Sequence, residues 1–154
     1  MKGCKRLIVI ASPEEISLVK SDDKTPILIT GIGALNVMNA LADVPRDTTI
    51  VNFGYCGSGT IPVGTTVRIH ACDLYHPGVS FPDRWFHLRA TNSEVKPVVC
   101  HTISDFGGDP SQDNCVYDME LAFICGMGFH EVESFKTVSD CCSLEEYHKT
   151  IAKK

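Results

Sequence analysis

Three acidic residues of this sequence, Glu15, Glu120 and Asp140, stand beside stretches that are typical of buried strands or helices. Glu15 comes soon after the apolar run at residues 7–10, and Asp140 comes directly after the stretch 132–139. Carboxyl groups can exchange protons with a substrate and can accept hydrogen bonds from sugar hydroxyls. Because ligands of α/β sheets bind outside the carboxyl ends of the strands, we expect these side chains to share one site.

Two glycine-rich turns and an aromatic residue are predicted to reach the same edge of the sheet. The turns cover residues 31–33 and 54–59, and Phe106 follows a further apolar stretch. Glycine allows a ligand to approach the backbone closely. The combination favours a polyhydroxylated, heterocyclic ligand. A dinucleotide fingerprint is not indicated, because Asn36 occupies the position of its third glycine.

Alternating strand and helix signals must position these residues. Strand signals cover residues 7–10, 27–30, 49–53, 63–71, 98–103 and 132–138. Helix signals begin at Ser12, cover 34–42 and 119–127, and begin again at Ser143. The alternation predicts an α/β fold, a three-layer α/β/α sandwich with a central mixed, largely parallel sheet, in a single domain of residues 1–154. The helix at 34–42 is apolar on most sides and is expected to be buried, and residues 73–97 are expected to form a structured loop.

Each acidic residue also has a purely structural interpretation. Ser12, Pro13 and Glu15 fit a capping box that opens a helix, Asp140 could cap the last helix, and Glu120 could lie on a solvated helix face. A capping glutamate could be replaced by glutamine with little loss, whereas a general base could not. The sequence leaves both interpretations open.

The composition excludes several functional classes. The 154 residues are 44% hydrophobic with a net charge of −5, which argues against disorder and against binding to nucleic acid. No apolar run has the roughly 20 residues of a membrane span, and the first run is too short for a signal peptide, so we expect a cytoplasmic protein. The eight cysteines and six histidines show no metal-ligand spacing, which predicts reduced thiols and neither metal nor cofactor.

Several of these segments together resemble the purine nucleoside phosphorylase/nucleosidase superfamily, and within it the 5′-methylthioadenosine/S-adenosylhomocysteine nucleosidases. The resemblance lies in the opening at 13–16, the turn at 30–33 with Asn36, the N-x-G-x-x-G loop at 52–57, the strand start at 63–65, the M-E motif at 117–120 and the R-x-x-S-D motif at 136–140. These segments occur in the family's order. Lys136 stands where the family has arginine, and Tyr55 is larger than the family's usual residue.

The resemblance implies a role for each matched residue. Glu15 would activate water at the anomeric carbon, and Asp140 would share or donate a proton at purine N7. Met119 and Glu120 would hold the ribose, and Phe106 would stack on the base. The remaining substrate-binding residues implied by the resemblance are Cys56, Gly57, Lys136 and Ser139.

The resemblance also bears on the reaction type and the assembly. Phosphorylases of the superfamily carry a G-D-P loop after the first strand and an arginine before the glycine-rich loop. This chain has residues 11–15 and Asn52 at those places, which favours hydrolysis. A phosphate-dependent phosphorylase and a non-catalytic nucleoside-binding homologue are the alternatives. The family's pockets imply a homodimer, with a buried patch at residues 34–42 or around Trp85.

Overall fold

The structure is a computed structural model that describes residues 5–22, 24–75, 85–88, 98–103 and 107–152. The strands are β1 (Arg6–Ile10), β2 (Ile27–Ile29), β3 (Thr49–Gly57), β4 (Thr66–Leu74), β5 (Phe86–His87), β6 (Val98–Thr102), β7 (Cys115–Asp118) and β8 (Glu131–Asp140). The helices are a short 3-10 helix (Pro13–Leu18), α1 (Ala34–Leu41), α2 (Leu121–Gly126) and α3 (Leu144–Ala152).

Four neighbouring parallel strands, in the order β2, β1, β3 and β8, form one side of the sheet. The long pairing of β3 with β8 runs from Thr49 opposite Glu131 to Gly57 opposite Asp140. Its register shifts between Cys56 and Gly57, as at a β-bulge. The pairing therefore brings the glycine-rich end of β3 alongside the end of β8 that carries Asp140.

The remaining pairings close part of the sheet into a ring. β8 pairs with β3 and also, antiparallel, with β4; β4 pairs with β6, β6 with β7, and β7 returns antiparallel to β3 at Gly57 and Tyr117. The predicted α/β fold with a mixed, largely parallel sheet is thus confirmed. The described strands close a ring where the sequence predicts an open sheet between two helical layers, because residues 135–137 of β8 pair with β3 along one edge and with β4 along the other.

The core lies between the sheet and the helices α1 and α2. Val37 and Leu41 of α1 are fully buried, whereas Leu35 and Met38 are 73% and 50% exposed. The expectation that α1 is buried on most sides is therefore wrong. Residues four apart share one helix face, so only that face of α1 reaches the core.

Two elements near the predicted site differ from the sequence prediction. Residues 115–118 form β7, which was not predicted, and α2 begins at Leu121 after Met119. Of the segment 73–97, the structure describes the end of β4, β5 and a few flanking residues. Among the described residues, none of the helices is long and apolar enough to cross a membrane.

Candidate functional site

A cavity of about 290 Å³ lies where β3, β7 and β8 end, with the 3-10 helix and α3 completing its wall. All but two of the predicted site residues line it: Glu15, Cys56, Gly57, Met119, Glu120, Ser139 and Asp140. Phe106 lies outside the described residues. Lys136 is fully buried and is absent from the lining.

Glu15 is a buried carboxyl group that three backbone N–H groups hold in place. Its Oε1 accepts hydrogen bonds from the backbone N–H of Ala11 at 2.7 Å and of Ser12 at 3.2 Å, and its Oε2 accepts one from Tyr55 at 2.7 Å. Burial raises its pKa, against the opposing effects of Lys136 and the three N–H donors. A carboxylate has about four acceptor positions, so about one is left for a molecule in the cavity. Glu15 therefore completes the capping box of the 3-10 helix and also faces the cavity.

Asp140 is also buried and is fixed by neighbouring donors. The backbone N–H groups of Cys142 (2.8 Å) and Ser143 (3.2 Å) donate to its Oδ1, and the Ser139 hydroxyl donates to Oδ2 at 2.8 Å. Burial raises the pKa of Asp140, which favours its proton-donating form. The two N–H donors lie just before α3, and the Ser143 hydroxyl accepts from the Glu146 N–H inside the helix, so Ser143 caps α3 and Asp140 fixes the turn that leads into it.

Glu120 occupies the N-cap position of α2 and is buried, so the solvated-face interpretation is wrong. Its Oε2 accepts a hydrogen bond from the backbone N–H of Gly33 at 3.1 Å, which ties it to the glycine turn. Burial, together with the nearby charge of Asp118, raises the pKa of Glu120 to about 8. The side chain can therefore exchange a proton near neutral pH.

Lys136 and Asp118 form a buried ion pair with Nζ and Oδ2 3.0 Å apart, in which Asp118 lines the cavity and Lys136 does not. Burial alone would raise the pKa of Asp118, but the Lys136 charge and the Thr102 hydroxyl, 2.6 Å from Oδ1, keep this pKa below its usual value. The backbone N–H of Leu121 also donates to Asp118, at 2.8 Å. The pair thus anchors the start of α2, which carries Glu120.

Two glycines of β3 leave the space that these charged groups occupy. A Cβ atom on Gly54 would lie 2.9 Å from Glu15 Oε2 and 3.0 Å from Lys136 Nζ. A Cβ atom on Gly57 would lie 2.8 Å from Asp140 Oδ1. The glycine-rich loop therefore serves the close approach of acidic side chains to the backbone.

Part of the cavity wall was not predicted from the sequence. Ile32, Tyr55 and Tyr117 line it, and so do three residues of α3, which are Leu144, Tyr147 and His148. The α3 residues are three and four positions apart and so share one helix face. That spacing, directly after the capping residue Ser143, could have indicated them. Within the described residues, no three or more His, Cys, Asp or Glu side chains come together as metal ligands would.

Searches by sequence find no relatives: no protein-family model and no curated protein matches the chain. Solved structures do match. The MTAN of Chlamydia trachomatis bound to MTA has a TM-score of 0.74 at 16% identity, over 97% of this chain and 90% of that chain.

Two structures from Helicobacter pylori are also similar. One is 5′-methylthioadenosine/S-adenosyl homocysteine nucleosidase, with a TM-score of 0.73, 13% identity, and coverage of 97% of this chain and 92% of that chain. The other is futalosine hydrolase, with a TM-score of 0.73, 14% identity, and coverage of 97% and 91%. The chain therefore has the fold of these nucleosidases over almost its whole described length.

Proposed function

We propose that the protein hydrolyses the N-glycosidic bond of a purine nucleoside, 5′-methylthioadenosine, S-adenosylhomocysteine or a close relative. The observation that carries the proposal is the cavity itself. Three buried carboxyl groups, those of Glu15, Glu120 and Asp140, face it, and each is held by hydrogen-bond donors. This cavity lies in a fold that the chain shares with nucleosidases of known structure.

The chemistry of the bond explains why separate acid and base groups are useful. Cleavage passes through an oxocarbenium-like state, which needs a protonated leaving group and a positioned water. Asp140 donates a proton toward purine N7 while the electron pair of the glycosidic bond leaves with the base. Glu15 accepts a proton from the water that attacks the anomeric carbon. Burial raises the pKa of both groups above their ordinary values, which moves each toward the range where general acid–base catalysis works best.

Substrate binding uses the rest of the cavity wall. Glu120 and Met119 hold the ribose hydroxyls and ring, while Cys56, Gly57 and Ser139 contact the base. Phe106 stacks on the base. Lys136 acts indirectly, through Asp118, since its side chain is buried behind the wall.

The charges around the cavity favour water over phosphate as the attacking group. No lysine or arginine is among the described residues that line the cavity, whereas four acidic residues are. Phosphate sites use arginine, lysine or backbone N–H groups, and nearby carboxylates repel the anion. We therefore propose a hydrolase in preference to a phosphorylase. We also propose that the protein acts in the cytoplasm as a homodimer.

A substrate panel separates the candidate functions. The purified protein is incubated with 5′-methylthioadenosine, S-adenosylhomocysteine, futalosine or adenosine, with and without phosphate, and free base is measured by reverse-phase chromatography. We expect base release without phosphate from at least one nucleoside and its loss in Asp140→Asn. Turnover that requires phosphate would identify a phosphorylase. Nucleoside binding without turnover would identify a non-catalytic binding protein.

A further inference from the structure

A second polar cluster lies on the side of β7 that faces β6, next to the cavity. It consists of Asp73 at the end of β4, His101 on β6, Gln112 in the loop before β7, and Tyr117 on β7. None of these residues has a role in the proposed chemistry. Tyr117 nevertheless lines the cavity, and β7 places it opposite Gly57 on one neighbouring strand and opposite His101 on the other.

The four side chains form one continuous hydrogen-bond chain. His101 Nδ1 lies 2.6 Å from Asp73 Oδ1, and His101 Nε2 lies 3.3 Å from Gln112 Nε2. The Tyr117 hydroxyl donates to Gln112 Oε1. His101 and Tyr117 are buried, while Asp73 and Gln112 are partly exposed.

Asp73 and Tyr117 form the two ends of this hydrogen-bond chain. A carboxylate only accepts, so His101 Nδ1–H donates to Asp73 Oδ1. The Gln112 amide nitrogen faces His101 Nε2, and its carbonyl oxygen accepts from the Tyr117 hydroxyl. Burial raises the pKa of Tyr117, which keeps the hydroxyl protonated as a donor.

The hydrogen-bond chain also connects the loop at residues 107–114 to the sheet. Gln112 belongs to this loop, and a Cβ atom on Gly108 would lie 2.6 Å from Cδ2 of the Tyr117 ring. Gly107 of the same loop lines the cavity. The ring of Tyr117 is further packed by Tyr75 and His101, with centroids 5.8 Å and 5.5 Å away. Loop and ring thus form one wall.

We propose that Asp73, His101 and Gln112 are positioning residues, which fix Tyr117 and the 107–114 loop as a rigid wall for the base of the bound nucleoside. The inference rests on the proposed function for the identity of the ligand. The wall itself depends only on the contacts above. A preformed wall lowers the cost of ordering the site when the ligand binds.

The test uses adenine, which binds without being consumed, and two variants that break the same link. Gln112→Leu removes the central amide, and Tyr117→Phe removes the hydroxyl while it keeps the ring. Each is expected to weaken adenine binding, measured by calorimetry, about fivefold to tenfold. The double variant is expected to be no weaker than the single ones, because both changes break one chain. The control Asp113→Asn, in the same loop, keeps the acceptor for the Asn114 N–H and should bind as the wild type does.

Hydrogen exchange separates failure of this inference from failure of the proposed function. Amides of residues 107–114 are expected to exchange faster in Gln112→Leu than in wild type or Asp113→Asn. Unchanged exchange with unchanged adenine affinity, or additive losses in the double variant, would overturn the positioning role. A wild-type protein that binds neither adenine nor any nucleoside would overturn the proposed function and the wall's role toward a base. In that case, faster amide exchange of residues 107–114 in Gln112→Leu would still establish that the hydrogen-bond chain orders the loop.

Discussion

Glu15 performs two tasks that the sequence alone presents as alternatives. Three backbone N–H groups donate to its carboxyl group, so it fixes the start of the 3-10 helix and the backbone of β3 at Tyr55. The same carboxyl group borders the cavity. One residue therefore carries both the local structure and a candidate proton acceptor, and substitution should affect both.

Glu15→Gln is expected to reduce turnover by about 10²–10⁴-fold, because a neutral amide cannot accept the proton from water. It should also lower the free energy of unfolding by about 1–3 kcal/mol, since the new NH₂ group faces backbone N–H donors. This stability loss exceeds what a capping box alone predicts, because the sequence does not reveal the bond from Tyr55. Steady-state kinetics and urea denaturation measure the two effects.

Glu14→Gln is the matched control for this change. Glu14 is the neighbouring residue and is exposed, so its replacement should leave both turnover and stability near wild type. Near-normal hydrolysis by Glu15→Gln would show that Glu15 only serves the backbone.

The buried carboxyl groups that the 3-10 helix, the start of α2 and the end of β8 bring to the cavity should make the stability depend on pH. The pKa of Glu120 is raised from 4.5 to about 8, and burial raises the pKa values of Glu15 and Asp140 in the same direction. The folded state therefore binds more protons than the unfolded state between these values. Stability is thus expected to fall as the pH rises from about 5 to about 8.

Urea denaturation at intervals across this pH range measures the effect. Glu120→Gln should make the decline with pH shallower, because a glutamine does not titrate. The exposed Glu145→Gln on α3 should leave it unchanged. Stability that rises over this range in the wild type, or a decline that Glu120→Gln does not alter, would contradict the burial of an ionisable Glu120.

Sequence patterns predict some strands of the sheet and not others. Apolar, β-branched runs predict β1, β2 and β3 because such runs favour buried strands. β7 has only a short apolar run, Cys115–Tyr117, and its strand conformation is stabilised by pairing with β6 and with Gly57. Closure of the ring is likewise a property of distant pairings.

Sequence motifs likewise identify some residues of the candidate site and not others. Glu15, Glu120 and Asp140 could be found because motifs surround them, and the structure brings them to one cavity. Lys136 differs from its expected role as a substrate contact, because its ion pair with Asp118 turns it into the interior. Tyr117 and Tyr147 reach the cavity through pairing and packing that short sequence patterns do not encode.

The whole molecule carries an apolar surface that suits self-association. No charged residue lies between positions 26 and 42, and Ile32, Leu35 and Met38 in this stretch are at least half exposed. A stable interface buries about 800 Å² on each partner. Because a neutral surface avoids repulsion between two copies that each carry a net charge of −5, we expect a homodimer through α1.

Sedimentation or light scattering at micromolar concentration tests this expectation. The wild type should be a dimer, and Leu35→Asp should shift it to a monomer by placing a charge in the interface. Val63→Asp, which changes an exposed apolar residue outside this stretch, should remain a dimer. A monomeric wild type with full activity would show that α1 has no such role.

The central claim is that water, and not phosphate, attacks the anomeric carbon at the cavity formed by Glu15, Glu120 and Asp140. Turnover of the best nucleoside from the substrate panel in H₂¹⁸O, in phosphate-containing buffer, tests this claim most directly. Mass spectrometry should find ¹⁸O at the anomeric hydroxyl of the released free sugar, above the level that unlabelled free sugar takes up by exchange in the same buffer, with one free base for each sugar. Formation of a sugar 1-phosphate without ¹⁸O at that position would contradict the account.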